Sequence, residues 1–260
     1  MQFPYERYKL QEAPLKIYYP ADEEKLARWV VSTIEKARTL LTQLLDQEPP
    51  ELQILLVQAE DWESAPRDED EEPGTPYPYL TDVTALPSIV IPGELGALYG
   101  QLTQEKLAFI IYHALTLAFL ENDARPWPEN YPLWADEWQL TFTALWLAQQ
   151  LDEQRGIVNK DLHEQYIDIF EPEADGKTPV TIRGFDWYED TAPEDYLTFE
   201  LLLEQFAADL LAHYDIAVLP RFLAQYRQPH EALLSDEVVA MLGSALGPEG
   251  TEWLEALVYF

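Results

Sequence analysis

Two polar residues on predicted helices, His113 and Glu137, are of types that could carry metal or acid–base chemistry. His113 lies in the long apolar stretch 107–120, and Glu137 lies on the next predicted helix. An imidazole and a carboxylate can both ligate zinc, and both can transfer a proton. Because residues four apart share one face of a helix, the fourth residue after His113 decides whether a second ligand stands beside it. That residue is Leu117, and the residue directly after His113 is Ala114.

This order of residues resembles the metal-binding segment of gluzincin-type zinc peptidases. In that family a helix carries His-Glu-x-x-His, whose two His ligate zinc and whose Glu activates the bound water, and a Glu on the following helix is the third ligand. His113 matches the first ligand, and Glu137 in Pro132-Leu133-Trp134-Ala135-Asp136-Glu137-Trp138 matches the third. Ala114 stands at the position of the general base, Leu117 at the second His, and Trp138 at a usual Gly.

The resemblance implies a remnant pocket formed by His113, Ala114, Leu117 and Glu137. A catalytic zinc needs three protein ligands, and an alanine cannot accept a proton from water. We therefore expect no catalytic residue, no bound metal and no cofactor, and we predict that His113 and Glu137 face each other as a buried pair. A single His on an apolar helix is also typical of an ordinary hydrogen-bonded core residue.

Other polar groups offer weaker candidates. Glu121 and Asp123 are possible replacement carboxylates, but they follow His113 by two helical turns or more. The resemblance also implies a downstream Tyr or His that stabilises an oxyanion, and Tyr188 and Tyr196 lie in a suitable region for a cleft. Because the chain has 15 Tyr, packing is the alternative role for both.

Hydrophobic periodicity, together with the Pro and Gly residues that end helices and strands, predicts the secondary-structure elements that hold these residues. Strands are predicted over 15–19, 52–57, 88–91 and 180–182, with a loop over 60–80. Proline on both sides of 88–91 favours an edge strand. Helices are predicted over 22–45, over 103–120 with Thr103 as the cap, and over 133–154, and three or four more follow residue 196.

Strands first and helices later predict an α+β fold. We expect a zincin-like architecture, in which a small mixed sheet has an N-terminal helix packed on it and a mostly helical C-terminal half follows. The prediction is one domain over 1–260, with the sheet part at 1–100 and the helical part at 101–260.

The charge balance limits the partners. Sixteen basic and 48 acidic residues give a net charge of -32, which opposes binding to nucleic acid and leaves a basic protein or peptide as an expected partner. Solubility and adaptation to high salt are two further reasons for such a charge. The absence of cysteine excludes disulfides and thiolate metal sites. No leader or membrane span is visible, so we expect a cytoplasmic protein that binds no membrane; the sequence indicates no oligomeric state.

These observations favour an inactive, gluzincin-like binding or scaffold protein. Two alternatives stay open. One is a metal-dependent hydrolase or peptidase with a non-standard site, built on Glu137 with His113 or with carboxylates of the 121–123 and 186–189 loops. The other is an acidic decoy for a basic protein, in which the run from Asp68 to Glu72 contributes to the charge.

Overall fold

The computed structural model describes residues 3–68, 74, 76–96, 99–170, 180–185 and 191–260. The chain divides into two compact units, Met1–Asn122 and Asp123–Phe260. The first is a mixed α/β unit and the second is helical within its described residues, so the predicted α+β class is confirmed. No helix in the described ranges has the length and apolar character needed to cross a membrane.

A five-stranded mixed sheet forms the centre of the first unit. Its strands are β1 (Lys9–Gln11), β2 (Lys16–Tyr19), β3 (Gln53–Val57), β4 (Tyr79–Thr81) and β5 (Ser88–Pro92). Their spatial order is β1-β2-β3-β5-β4. The three inner strands run parallel, and each outer strand pairs antiparallel with its neighbour.

The predicted edge position of β5 is wrong, since β5 lies between β3 and β4. On that side of the sheet the edge strand is β4, which begins within the stretch predicted as a loop. The two prolines do not interrupt β5 because Pro92 is its last residue and Pro87 precedes its first. Pro87 contributes its carbonyl, which accepts a 2.9 Å hydrogen bond from the Gln53 amide. A proline at the end of a strand therefore removes little of the hydrogen bonding between neighbouring strands here.

Two helices, α1 (Glu24–Leu45) and α2 (Gln104–Glu121), pack against each other and contact the sheet. The apolar positions of α1 recur with helical periodicity, and its buried residues form one face. Ile17, Ile54 and Ile89 are register partners on neighbouring strands and are fully buried. The sequence assigned α2 to the helical part of the chain, whereas α2 belongs to the sheet unit.

The other sheet face holds a second apolar cluster. Leu55 and Val90 are register partners there, and residues from the chain start and from the turn after β3 cover them. The cluster comprises Phe3, Tyr8, Leu55, Val57, Trp62, Ala65 and Val90. Strand alternation explains why Leu55 and Val90 face this cluster while their neighbours Ile54 and Ile89 face away from it.

One register row on that second face is polar. Lys16, Gln53, Ser88 and Thr81 are consecutive partners across four strands. Lys16, Gln53 and Ser88 are the first residues of the three parallel strands, so this polar row marks the amino ends of those strands. The Gln53 side-chain amide donates a 2.9 Å hydrogen bond to the Ser88 hydroxyl.

The second unit contains six described α-helices. These are α3 (Trp134–Leu151), α4 (Lys160–Gln165), α5 (Pro193–His213), α6 (Val218–Tyr226), α7 (Ser235–Leu246) and α8 (Gly250–Glu255). α3 packs on α5, and α7 packs on both α6 and α8. Aromatic rings fill the core: Trp138 lies 5.0 Å from Phe222 and Phe206 lies 4.9 Å from Phe260, measured between ring centroids.

Two described parts of the chain between α3 and α5 differ from the prediction. No strand forms at 180–182, although the Ile182 amide donates to the Tyr259 carbonyl and so ties this segment to the chain end. The short helix α4 was not predicted. Its His163 is buried, and its Nε2 lies 3.3 Å from the carboxylate of Glu204 on α5.

Candidate functional site

α2 positions the first half of the predicted pocket. The Thr103 hydroxyl accepts a 3.2 Å hydrogen bond from the Lys106 amide, so the predicted cap is confirmed. Three residues at four-residue spacing, His113, Leu117 and Glu121, are the least buried of the helix beyond its first turn, and they share one face. Ala114 is buried, with 5% of its surface exposed.

His113 is a neutral imidazole at neutral pH. Burial disfavours its charged form and lowers its pKa to about 4. A neutral imidazole is the form that binds a metal, but Leu117 has an aliphatic side chain one turn away on the same face. Glu121 lies two turns beyond His113, about 12 Å along the helix axis, which is too far for one ion to bind both residues.

Glu137 lies in the first turn of α3, in the second unit. Burial raises its pKa to about 7, and the charge of Asp136 contributes to the increase. The positive end of the helix dipole favours carboxylates at this position, but burial outweighs that effect. His113 and Glu137 belong to different units, and their predicted pairing stays a prediction.

Asp136 is the best-connected carboxylate near Glu137. The Tyr226 hydroxyl donates to Asp136 Oδ1 at 2.8 Å, and the Tyr131 hydroxyl lies near the same carboxylate. Burial raises the pKa of Asp136 to about 6, against the opposing effects of these two hydroxyls and of the Arg227 charge. Asp136 and Glu137 are therefore adjacent carboxyl groups that both titrate near neutral pH.

An aromatic cluster lies beside Asp136. The rings of Trp127, Tyr131 and Tyr226 lie 6.2 Å apart, pair by pair, between centroids. The Arg227 guanidinium sits 3.5 Å from the centroid of the Trp127 ring, a cation–π contact. Burial lowers the pKa of Arg227, and burial raises the pKa of Tyr226. Because an arginine guanidinium keeps its proton in proteins, Arg227 is a fixed positive charge close to Asp136.

The sequence motif contains Asp136, but the motif alone indicated no role for it. Tyr131, Tyr226 and Arg227 were not predicted at all. Tyr226 and Arg227 follow Asp136 by 90 residues or more, and no spacing rule connects them. The sequence feature that could have indicated this site is the pair of adjacent acids in the first turn of an otherwise apolar helix.

Two further candidates from the sequence, Asp123 and Tyr196, lie within the described residues. Asp123 accepts hydrogen bonds from the Arg125 guanidinium through both of its oxygens, so this carboxylate is already neutralised. Tyr196 is half-buried and lies beside Phe185 and Phe199, with ring centroids 6.5 and 6.3 Å away. Tyr188 and the acidic loop 186–189 lie outside the described residues. The oxyanion role of either tyrosine stays a prediction.

The described donor set does not fit a catalytic zinc. Such a site needs three protein ligands and a water. Among the residues that the structure describes, no group of three or more His, Asp or Glu side chains is arranged to hold a metal ion. Leu117 leaves α2 with one imidazole on the relevant face, so this face alone cannot supply the paired imidazoles of a zinc peptidase.

No family model and no curated protein sequence matches this chain. Solved structures do resemble it. Native yeast LTA4 hydrolase aligns with 96% of this chain and 38% of its own, with a TM-score of 0.50 and 12% identity. Legionella pneumophila aminopeptidase A in complex with aspartic acid aligns with 96% of this chain and 27% of its own, with a TM-score of 0.46 and 11% identity.

The likeness to the yeast enzyme concerns the fold alone. It makes the architecture similar to that of zincin-type peptidases, in agreement with the expected fold. The chain spans less than two fifths of the length of either structure. A similar fold does not show a shared activity, because activity depends on the residues of a site.

Proposed function

We propose that this chain is a catalytically inactive, gluzincin-like protein that binds a basic protein or peptide. The observation that carries the proposal is the pair His113 and Leu117, one turn apart on the same face of α2. A zinc peptidase requires an imidazole at the second position, and leucine supplies no ligand. Ala114 beside them supplies no general base. The likeness to zincin-type folds supports the scaffold part of the proposal.

The binding part rests on charge. A net charge of -32 attracts a cationic partner at long range and accelerates its encounter. The acidic run in the predicted loop begins at Asp68, which is exposed, while 69–72 lie outside the described residues.

Metal analysis tests the loss of the zinc site. The purified protein is expected to contain no stoichiometric zinc and to leave casein and peptide libraries uncleaved. The double variant Ala114→Glu/Leu117→His restores the missing groups and is expected to bind one equivalent of zinc, with Glu137 as third ligand. The same double variant with His113→Ala is the matched control and is expected to lose that zinc.

Two outcomes would contradict this part of the proposal. One equivalent of zinc in the unmodified protein would show a functional metal site. Failure of the folded double variant to bind zinc would show that His113 and Glu137 are not the positions of former ligands.

Fluorescence anisotropy with an oligo-arginine peptide tests the binding part. Affinity is expected to fall steeply with salt, since exposed charges are screened beyond about 8 Å at physiological ionic strength. An oligo-glutamate peptide of equal length is the control. Replacing the acids of 68–72 by their amides is expected to weaken binding. Salt-insensitive binding, or none, would count against a basic partner.

A hydrolase with a rewired site is a second candidate, favoured by the two carboxyl groups at the start of α3. With pKa values of about 6 and 7, Asp136 and Glu137 could act as an acid and a base near neutral pH. A peptide or ester cleavage by the unmodified protein that is lost in Glu137→Gln would establish this function in place of the first.

A further inference from the structure

A pocket in the first unit lies over the polar row of the sheet. Its volume is about 360 Å³, within the usual range of small-molecule sites. Two aromatic rings, a lysine, a buried amide and a short loop line this open pocket. The lining residues are Tyr5, Lys16, Tyr18, Gln53, Val83, Thr84 and Ala85.

The aromatic part of the pocket is pre-arranged. Tyr5 and Tyr18 meet edge to face, with ring centroids 4.9 Å apart. The first turn of the chain holds Tyr5, whose amide donates to the Phe3 carbonyl at 3.0 Å. Tyr18 is fixed by the β-ladder on both sides. Two rings at this angle offer one face and one edge to a third ring, which is the packing that aromatic groups prefer.

The polar part is also held in place. Gln53 is 3% exposed, and its amide donates to the Ser88 hydroxyl. Ser88 lies 2.5 Å from the Thr84 hydroxyl, and Thr84 donates to the Leu86 carbonyl. This network ties the 83–85 loop to the sheet and sets the polar wall of the pocket.

Lys16 gives the pocket a positive charge. Its ammonium lies 5.4 Å from the centroid of the Tyr18 ring, and within the described part of the chain no carboxylate lies within ion-pairing distance of it. The neighbouring Lys9, in contrast, approaches Glu24 at 3.9 Å. In a chain with three acids for each base, a half-buried lysine that faces a pocket instead of a carboxylate indicates a bound anion.

We propose that this pocket binds a small molecule with one carboxylate and one aromatic ring. The Lys16 ammonium pairs with the carboxylate, and the rings of Tyr5 and Tyr18 pack against the aromatic group. A polyanion such as a nucleotide is disfavoured, because one lysine offsets one charge and the chain as a whole repels the rest. This inference is independent of the proposed function, since none of its residues belongs to the remnant pocket.

Ligand-observed NMR and calorimetry test the proposal with three probes. N-acetylphenylalanine carries both groups, its amide lacks the charge, and N-acetylalanine lacks the ring. The first is expected to bind with a Kd on the order of 0.1–1 mM, and the other two about tenfold more weakly or worse.

Variants assign the site. Lys16→Met keeps the apolar stem over Tyr18 and is expected to raise the Kd for N-acetylphenylalanine about tenfold. Lys9→Met is the matched control on the neighbouring strand and is expected to leave that Kd unchanged. In the unmodified protein the side-chain amide resonances of Gln53 are expected to shift on titration, which localises the ligand even if Lys16→Met folds poorly.

Three results would overturn the proposal. They are equal binding of the acid and its amide, an unchanged Kd in folded Lys16→Met, and no shift of the Gln53 amide at saturation. Absence of binding by all three probes would overturn it as well. None of these results bears on the zinc measurements, so the two proposals fail separately.

Discussion

The Tyr226 hydroxyl donates a 2.8 Å hydrogen bond to Asp136 and so joins the end of α6 to the first turn of α3. Asp136 is half-buried and Tyr226 is fully buried. The hydrogen bond from Tyr226 therefore replaces part of the hydration that the carboxylate loses on burial. Hydrogen bonds to the charged form of a carboxyl group lower its pKa. Tyr226 therefore limits the rise that burial causes in the pKa of Asp136.

Tyr226→Phe is expected to lower the free energy of unfolding at pH 8 by about 1.5–3 kcal/mol, since it removes a hydrogen bond to an ionised group. The pKa of Asp136 should rise above about 6. Urea unfolding of the variant measures the first effect and NMR titration the second. Tyr131→Phe is the matched control: Tyr131 is 39% exposed, and its loss should cost less. If Tyr226→Phe lowered the free energy of unfolding by the same amount in the Asp136→Asn background, the two side chains would not be coupled.

Glu137→Gln is expected to stabilise the protein above pH 7. The folded pKa of about 7 lies above the ordinary value of 4.5, so the unfolded chain loses this proton first as the pH rises. Stability contributed by Glu137 is present below pH 4.5 and is lost on going to pH 7. Glutamine removes that loss, which is on the order of 3 kcal/mol for a pKa difference of about 2.5. Urea midpoints between pH 4 and 8 should show a flatter profile.

The matched control for Glu137→Gln is Glu129→Gln, at an exposed position in the loop before α3. Its profile should follow that of the unmodified protein. A Glu137→Gln profile with the same slope between pH 4.5 and 7 would show that Glu137 is ionised in the folded state.

Glu204→Ala is expected to destabilise the second unit by about 3 kcal/mol. Glu204 is 1% exposed and accepts hydrogen bonds from the amides of Val158 and Asn159 and from the Asn159 side chain. Removing it deprives these donors of their acceptor and takes away the carboxylate that lies 3.3 Å from His163 Nε2. Chemical unfolding measures the loss, and hydrogen exchange should accelerate at the Val158 and Asn159 amides. Glu164→Ala, at an exposed site on α4, is the control and should change little.

Gly243→Ala is expected to destabilise the packing of α7 on α8 although alanine favours a helix. A Cβ at Gly243 would lie 2.3 Å from the Thr251 hydroxyl and 3.1 Å from two Thr251 backbone atoms. Backbone must therefore shift, at a cost of about 1–3 kcal/mol that exceeds the gain in propensity. Gly93→Ala is the control because its Cβ would meet one atom at 3.5 Å, an ordinary contact. A higher melting temperature for Gly243→Ala would contradict the close approach.

Local periodicity was sufficient to predict the main helices and the inner strands. The amphipathic pattern of α1, the Thr103 cap and the apolar run of β3 are each determined by neighbouring residues. The position of a strand within the sheet is not local. Prolines beside β5 favoured an edge, and only pairing with β3 and β4 made it an inner strand.

The candidate site was less predictable for the same reason. His113, Ala114 and Leu117 are close in sequence, so one helix places them. The partners of Asp136 include Tyr226 on α6, and the network around it is a product of packing between helices. Likewise, Lys16 and Gln53 become neighbours only when β2 and β3 pair in register.

The polar row also controls how the strands align while the chain folds. A shift of β3 by two residues would keep its apolar side chains on the correct faces, so hydrophobic burial alone does not forbid it. Such a shift would place Gln53 opposite Tyr18 and Val90 and take its amide away from Ser88. A buried amide without an acceptor costs about 1–3 kcal/mol. The glutamine thus selects one alignment among those that the apolar pattern allows.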